Sequence, residues 1–458
     1  MSLPRGPQSN NVALFQQGGL DPVMRAVPGK SLSLFDAICL IVGVIIGAGI
    51  YETTPAVAGC MGGWGGMMSV WLFGGLLALC GALCYAELAT TYPHQGGDYV
   101  YLNRAYGSWA GFMFGWGQLA IIRPGDIALM AFVFARYAST LYAPFPDPGT
   151  FYAALAVVVL TTINILGVRE SKWTQNALAV VKVAGLLFIV AAGLLAPGVR
   201  YVPHSGYPAD GGLKLAMILV LFTYGGWNEM AYVAAEIKKP QKNIPRALVV
   251  GTLVVAALYL LINGAFLHAL GFEGLAASES VAVDAVVTVL PDSAARLIGI
   301  IICISALGAV NGLVFTGARI SYAMGTGHKV FQALGRWNPR FGTPVAALVL
   351  QGTISMAIVL LAGSFIDTIL YSAPAVWFFF LASGLAIFRL RSKDAARPRP
   401  CKVIGYPVTP LVFCFAAVFM AYSSVSYAFS QKPAGLLVLG AVLLAGLCLY
   451  AISGVRNK

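Results

Sequence analysis

Apolar residues run through this chain in stretches of about 20, the length at which an α-helix crosses the hydrocarbon core of a bilayer. Twelve such stretches can be read, at 34–58, 65–88, 108–138, 151–167, 176–196, 213–235, 246–270, 296–324, 344–363, 366–388, 407–428 and 434–453. They predict an all-α integral membrane protein of twelve transmembrane helices, with no room between them for a separate soluble domain. Two stretches are interrupted. The first carries Gly43, then Ile45-Ile46-Gly47-Ala48-Gly49-Ile50; the sixth carries Tyr224-Gly225-Gly226-Trp227-Asn228-Glu229. Glycine in a helix interior costs about 1 kcal/mol relative to alanine. Glycines followed by polar residues in mid-span therefore predict an unwound segment, which membranes tolerate only where it lines a cavity or is buried in protein.

The two breaks lie five spans apart, where an inverted repeat of five plus five would put them, and such a pair points to a transporter binding site. This divides the chain into a cytoplasmic tail (1–30), a first repeat (31–196), a second repeat (213–390) and two added helices (406–454). A break frees N–H groups at the start of one half-helix and C=O groups at the end of the other. The N–H end, reinforced by the helix dipole, favours a carboxylate. The carbonyl end accepts from an ammonium. A zwitterion therefore fits between two breaks without any charged side chain.

Composition strengthens the membrane reading: of 458 residues, 59% are hydrophobic and 10% charged, where soluble domains carry about a quarter charged. The net charge of +12 does not imply nucleic acid. With the N-terminus inside, 21 of the 29 Lys and Arg residues fall in inside segments and four in outside ones. That bias places both termini in the cytoplasm. No signal-peptide core precedes the first span. The eight cysteines show neither a pairing pattern nor metal spacing, so no disulfide framework, metal site or cofactor is expected.

Beyond these patterns, a series of motifs resembles the amino acid–polyamine–organocation superfamily, and within it the L-type amino acid transporter branch. Ile46-Gly47-Ala48-Gly49-Ile50 is similar to its G-x-G substrate motif. Gly81 to Leu88 with Gly96-Gly97-Asp98-Tyr99 is similar to the end of its second span and the loop beyond. Ile122-Arg123-Pro124 resembles its third span, and Phe222 to Asn228 its sixth, followed by Glu236 to Ala247. Arg397 to Val403 with Tyr406-Pro407-Val408 resembles its tenth-to-eleventh loop.

The resemblance implies a LeuT-like fold and alternating access around a central site. It implies that the N–H groups of Ala48 and Gly49, in the Gly47–Gly49 motif, hold the substrate carboxylate. The carbonyls of Ile45, Phe222 and Gly225 would hold the ammonium, with the Phe222 ring as a gate and Thr223, Asn228 and Glu229 completing the site. A fifth-span lysine in sodium-independent relatives occupies the place of a sodium ion. Lys182 matches it, and would tie the first span to the eighth near Gly43 and Ser305. Phe266 departs from the family, since several relatives carry a tyrosine in this part of the seventh span. Animal relatives join a single-span glycoprotein through a cysteine after the third span. The segment Tyr142 to Gly149 has none, so no disulfide-linked heavy chain is expected.

Other intramembrane charges are functional candidates by default. Arg123 and Asp126 are three apart on one helix face and read as a structural pair. Glu229 reads equally as a substrate or proton group and as a helix-terminal hydrogen-bond partner. Arg319 reads as a snorkelling anchor, and His268 as an isolated interfacial histidine. Gly225 offers no carboxylate, which favours neutral L-amino acids, though Glu229 and Glu52 keep cationic substrates and polyamines open. A channel would need repeated filter residues. An enzyme would need a nucleophile–base or metal constellation, and neither is present in the sequence. A sodium-independent amino acid transporter is therefore expected, an exchanger or proton-coupled, in a bacterial inner membrane.

Overall fold

The computed structural model describes residues 29–146, 148–198, 212–291, 293–361, 365–431 and 433–453. Residues 1–28, most of the expected N-terminal tail, and residues 199–211, expected outside, lie beyond them. The described residues form seventeen α-helices and no strands beyond two isolated bridges. The first three are α1 (Leu34–Ile45), α2 (Gly49–Cys60) and α3 (Trp64–Thr91). Then come α4 (Asp98–Tyr106), α5 (Ser108–Gly117), α6 (Arg123–Leu141), α7 (Gly149–Leu166) and α8 (Val168–Leu195). The second half contains α9 (Gly212–Thr223), α10 (Glu229–Tyr232), α11 (Pro240–Ala277), α12 (Val281–Val287) and α13 (Ala294–Gly327). The last four are α14 (Val345–Leu361), α15 (Phe365–Lys393), α16 (Val408–Gln431) and α17 (Pro433–Ile452).

Among the described residues, nine helical stretches are individually long and apolar enough to cross a membrane, and the bent pair α1–α2 makes a tenth. Helices α9 and α14 are apolar but shorter. Several helices outrun their hydrophobic stretches. Helix α8 starts at Val168 rather than 176, because the polar run Arg169 to Gln175 continues the helix beyond its apolar part. Helix α11 starts at Pro240, a residue suited to a first turn because its missing N–H has no partner there anyway.

Local chemistry sets where the site-bearing elements begin and end. Ser33 and Asp36 form a capping box at the start of α1: the Ser33 N–H donates to Asp36 Oδ2 at 2.7 Å, and the Asp36 N–H to Ser33 Oγ at 3.2 Å. The helix ends at Ile45, and α2 leaves at 45° to it. Helices α5 and α6 are joined through a π-helical turn at Gln118–Ile122. Pro124 follows at once; having no N–H, it cannot donate to the previous turn, and the hydrogen-bond register shifts there. Below the two breaks the chain is stitched by backbone: Ser31 and Leu32 N–H donate to the Glu236 carbonyl, each at 2.9 Å, and Lys238 N–H donates to the Leu32 carbonyl at 2.8 Å. The long helices α11 and α13 form the packing centre; α13 lies against α6 and α8, and α11 against α1, α3 and α8.

Candidate substrate site between two broken helices

The breaks at 46–48 and 224–228 face one cavity of about 150 Å³. Ile45, Gly47, Gly49, Phe222, Thr223, Gly225, Asn228 and Glu229 line it, and Ala48 is buried beside them as the residue capping α2. The N–H groups of Ala48, Gly49 and Ile50, at the start of α2, have no hydrogen-bond partner among the described residues. The carbonyls named from sequence differ in occupancy. That of Ile45 accepts from the Tyr259 hydroxyl and from Gly47 N–H, both at 2.8 Å, and that of Phe222 accepts from Gly225 N–H at 2.9 Å. The Gly225 carbonyl takes no donor among the described residues. Thr53 on α2 and Thr223 on α9 share a hydroxyl hydrogen bond of 2.9 Å, holding these two half-helices together.

Gly226 makes the second break possible. Its φ of +112° suits glycine alone, and a β-carbon there would lie 2.8 Å from Val44 Cγ1. The backbone of α10's lead-in thus packs directly on α1.

Lys182 lies on α8 with its side chain fully buried. Its Nζ donates to the carbonyls of Gly43 at 2.7 Å, Ile46 at 2.6 Å and Ser305 at 2.9 Å. Three elements therefore meet at one ammonium: the last turn of α1, the unwound segment after it, and α13. Ser305 Oγ adds bonds to the Ile46 and Gly47 carbonyls at 3.1 and 3.0 Å. Room for the ammonium comes from Gly308, where a β-carbon would sit 2.7 Å from Nζ.

The cavity is also lined by an arginine and two acidic side chains, Arg123, Asp126 and Glu229. Arg123 Nη1 meets both oxygens of Glu229, at 2.9 and 3.0 Å, and Arg123 Nε donates to Gln118 Oε1 at 3.3 Å. Thr316 on α13 donates to Glu229 Oε2 at 2.5 Å. Asp126 lines the same cavity and has neither an ion-pair nor a hydrogen-bond partner among the described residues.

The comparisons with known proteins follow from this geometry. The family model for amino acid permeases matches residues 32–448. The chain belongs to the amino acid permease family. Its relatives include the mouse b(0,+)-type amino acid transporter 1, at 30% identity over 92% of this chain and 87% of the relative. The serine/threonine exchanger SteT of Bacillus subtilis is 30% identical over 92% of this chain and 96% of its own. The human large neutral amino acids transporter small subunit 2 is 31% identical over 86% of this chain and 76% of its own. The protein is thus a membrane transporter of the amino acid–polyamine–organocation superfamily, not an enzyme.

Several sequence expectations need correction in the permease. Arg123 and Asp126 share a helix face, as their spacing predicts, but they do not pair. Glu229 takes the guanidinium because it offers both oxygens from α10, and Gln118 holds Nε from the π turn. Arg319 does not snorkel: it is fully buried, with Nε 2.9 Å from Glu236 Oε1, Nη1 2.9 Å from the Phe315 carbonyl and the guanidinium 3.8 Å above the Phe315 ring. Glu52 is not among the cavity residues; Arg136 and Tyr137 hold it at 2.8 and 2.9 Å. His268 bonds the Ala196 carbonyl at 3.2 Å.

Three groups escaped the sequence reading. Tyr259, seven residues before Phe266 in α11, donates its hydroxyl toward the Ile45 carbonyl at 2.8 Å and the Thr223 carbonyl at 3.2 Å. The seventh-span hydroxyl thought missing at Phe266 is thus provided two turns earlier on the same helix face, joining both breaks. Gly308 looks like any packing glycine in an apolar run. Fully buried Asp98 accepts from Tyr85, from Ser383 at 2.5 Å and from Tyr232 at 3.0 Å, and Tyr232 accepts in turn from Asn228 at 2.6 Å. Only the run Gly96-Gly97-Asp98-Tyr99 had signalled that position.

Proposed function

We propose that this permease is a sodium-independent amino acid exchanger working by alternating access. The observation that carries the reading is Lys182. Its ammonium joins the first break to α13 through three carbonyls, which is the coordination a bound sodium ion would otherwise demand of them. With a fixed cation there, the break is held without an ion from solution. The substrate's carboxylate is met by the N–H groups at Ala48 and Gly49, and its ammonium by carbonyls at Ile45, Phe222 and Gly225; Phe222 closes over it. One relative's name describes an exchanger, SteT, and another a carrier of large neutral amino acids, which agrees with this class of cargo.

In this reading the fold is LeuT-like: twelve spans, with inverted five-helix repeats at 31–196 and 213–390 and two further helices at 406–454. Helix α9 with α10 and the shorter α14 are the spans that do not stand alone by length. Both termini face the cytoplasm of a bacterial inner membrane, supported by the excess of Lys and Arg on that side. The permease works without a disulfide-linked heavy chain.

The test is purified protein in liposomes, with labelled amino acids outside and unlabelled ones inside or absent. Uptake that needs internal amino acid and ignores sodium is expected. Strict sodium dependence overturns the role of Lys182. Uptake into empty vesicles driven by an imposed pH gradient replaces exchange by proton symport.

A further inference from the structure

We propose that Asp126 selects the substrate's side chain, and that the permease prefers amino acids ending in an ammonium or guanidinium group. The inference rests on the exchanger reading above and assigns the part of the cavity that reading leaves unused.

The argument is a charge balance over the groups that line the cavity. Its titratable members are Arg123 and Asp126 from α6, Glu229 from α10 and Tyr232 from the same turn. Arg123 and Glu229 neutralise each other through a two-oxygen contact, with Gln118 adding a hydrogen bond to Arg123 Nε and Thr316 one to Glu229 Oε2. Lys182 is not available as a counter-charge, since it is fully buried on its three carbonyls and does not line the cavity. One carboxylate is left over. Asp126 faces the same space with no partner among the described residues, while much of the surrounding lining is apolar: Ile122, Leu129, Met130, Leu313, Val376 and Trp377.

An amino acid's own α-carboxylate and α-ammonium cancel, and the broken helices supply both with backbone partners. A neutral side chain therefore leaves Asp126 without a cationic partner beside a largely apolar lining, where it either stays charged at a cost or must take up a proton. A cationic side chain removes that cost and forms a charge-assisted hydrogen bond. Specificity then comes as much from penalising the neutral isostere as from attracting the cation. The placement fits: Asp126 is one helical turn from Met130, whose sulfur would lie 3.3 Å from a β-carbon on Gly47, so it stands near the first break but off it. The preference for neutral substrates inferred from Gly225 is thereby reversed, because the carboxylate absent at that position is supplied by the third span.

The experiment compares lysine with norleucine, which replaces the terminal aminomethyl by methyl, in exchange assays on wild type, Asp126→Asn and Asp126→Glu. Wild type is expected to favour lysine at least tenfold in kcat/KM. Asp126→Asn is expected to reduce that ratio at least tenfold, mainly through the KM for lysine, while Asp126→Glu keeps the preference. A wild type that does not favour lysine overturns the inference, as does an Asp126→Asn ratio equal to wild type. Norleucine uptake driven by a pH gradient and abolished in Asp126→Asn also overturns it, by giving the carboxylate a proton instead. If Asp126→Asn does not yield a monodisperse protein, the wild-type ratio and that of Asp126→Glu decide. Failure of the exchanger reading looks different: no counter-flow of either amino acid, or equal transport of cadaverine, which lacks the α-carboxylate.

Discussion

Replacing Lys182 by methionine keeps most of the side-chain volume and removes only the ammonium. In wild type that group makes three charge-assisted hydrogen bonds, each worth about 1.5–3 kcal/mol. Against them stands the desolvation of a fully buried ammonium, several kcal/mol by itself. The two roughly cancel, so Lys182→Met is expected to alter global stability by about 2 kcal/mol or less. The local balance is different. The Ile46 carbonyl still has Ser305 Oγ at 3.1 Å, but the Gly43 carbonyl, in the last turn of α1, loses its donor. An unsatisfied carbonyl costs about 1–3 kcal/mol, charged only to conformations in which the break is formed and closed on α13. That is about 5- to 150-fold in the population of the binding-competent state. Exchange in proteoliposomes is therefore expected to fall at least fivefold while the thermal unfolding midpoint in detergent moves little. Wild-type exchange in Lys182→Met would refute the reasoning. A loss of exchange matched by a collapse in stability would show that the ammonium serves the fold as a whole rather than the break.

Three further perturbations test neighbouring parts of the same argument. Tyr259→Phe removes the hydroxyl between the Ile45 and Thr223 carbonyls, a loss of about 0.5–1.5 kcal/mol, and should raise the KM for exchange with little change in expression or melting. Gly226→Ala must place a β-carbon at positive φ, 2.8 Å from Val44 Cγ1, at a cost of about 1–3 kcal/mol; exchange should be lost before folding is, read by uptake alongside size-exclusion profiles. Arg319→Met leaves Glu236 buried without its cation and should destabilise by about 3–5 kcal/mol. The double variant Arg319→Met with Glu236→Met should recover most of that in thermal unfolding.

Hydrophobic length revealed most of the helices, because a bilayer span and an apolar run are the same physical quantity. It misjudged their ends where polar residues continue the helix, as from Val168 to Gln175 in α8. The two breaks were legible from paired glycines, which helices disfavour, and so were the residues on either side of them. Partners across the bundle were not. Local spacing put Arg123 and Asp126 on one face correctly, yet the partner of Arg123 is 106 residues away, on an element whose position depends on the break itself. Tyr259 and Gly308 carry no sequence mark of their task, since a tyrosine or a glycine in an apolar run serves packing equally well. Arg319 looked terminal because only the three-dimensional bundle reveals that Glu236 is brought beneath it.

The backbone stitch between Ser31-Leu32 and Glu236-Lys238 has a mechanical consequence. It splices the lead-in of the first broken helix to the lead-out of the second, so neither of these segments can swing away without dragging the other. A pull on either break is therefore passed to both, and the two act as a single lever. The fulcrum is three main-chain hydrogen bonds that no side-chain substitution deletes, although a proline at Leu32 or Lys238 would cut one of them.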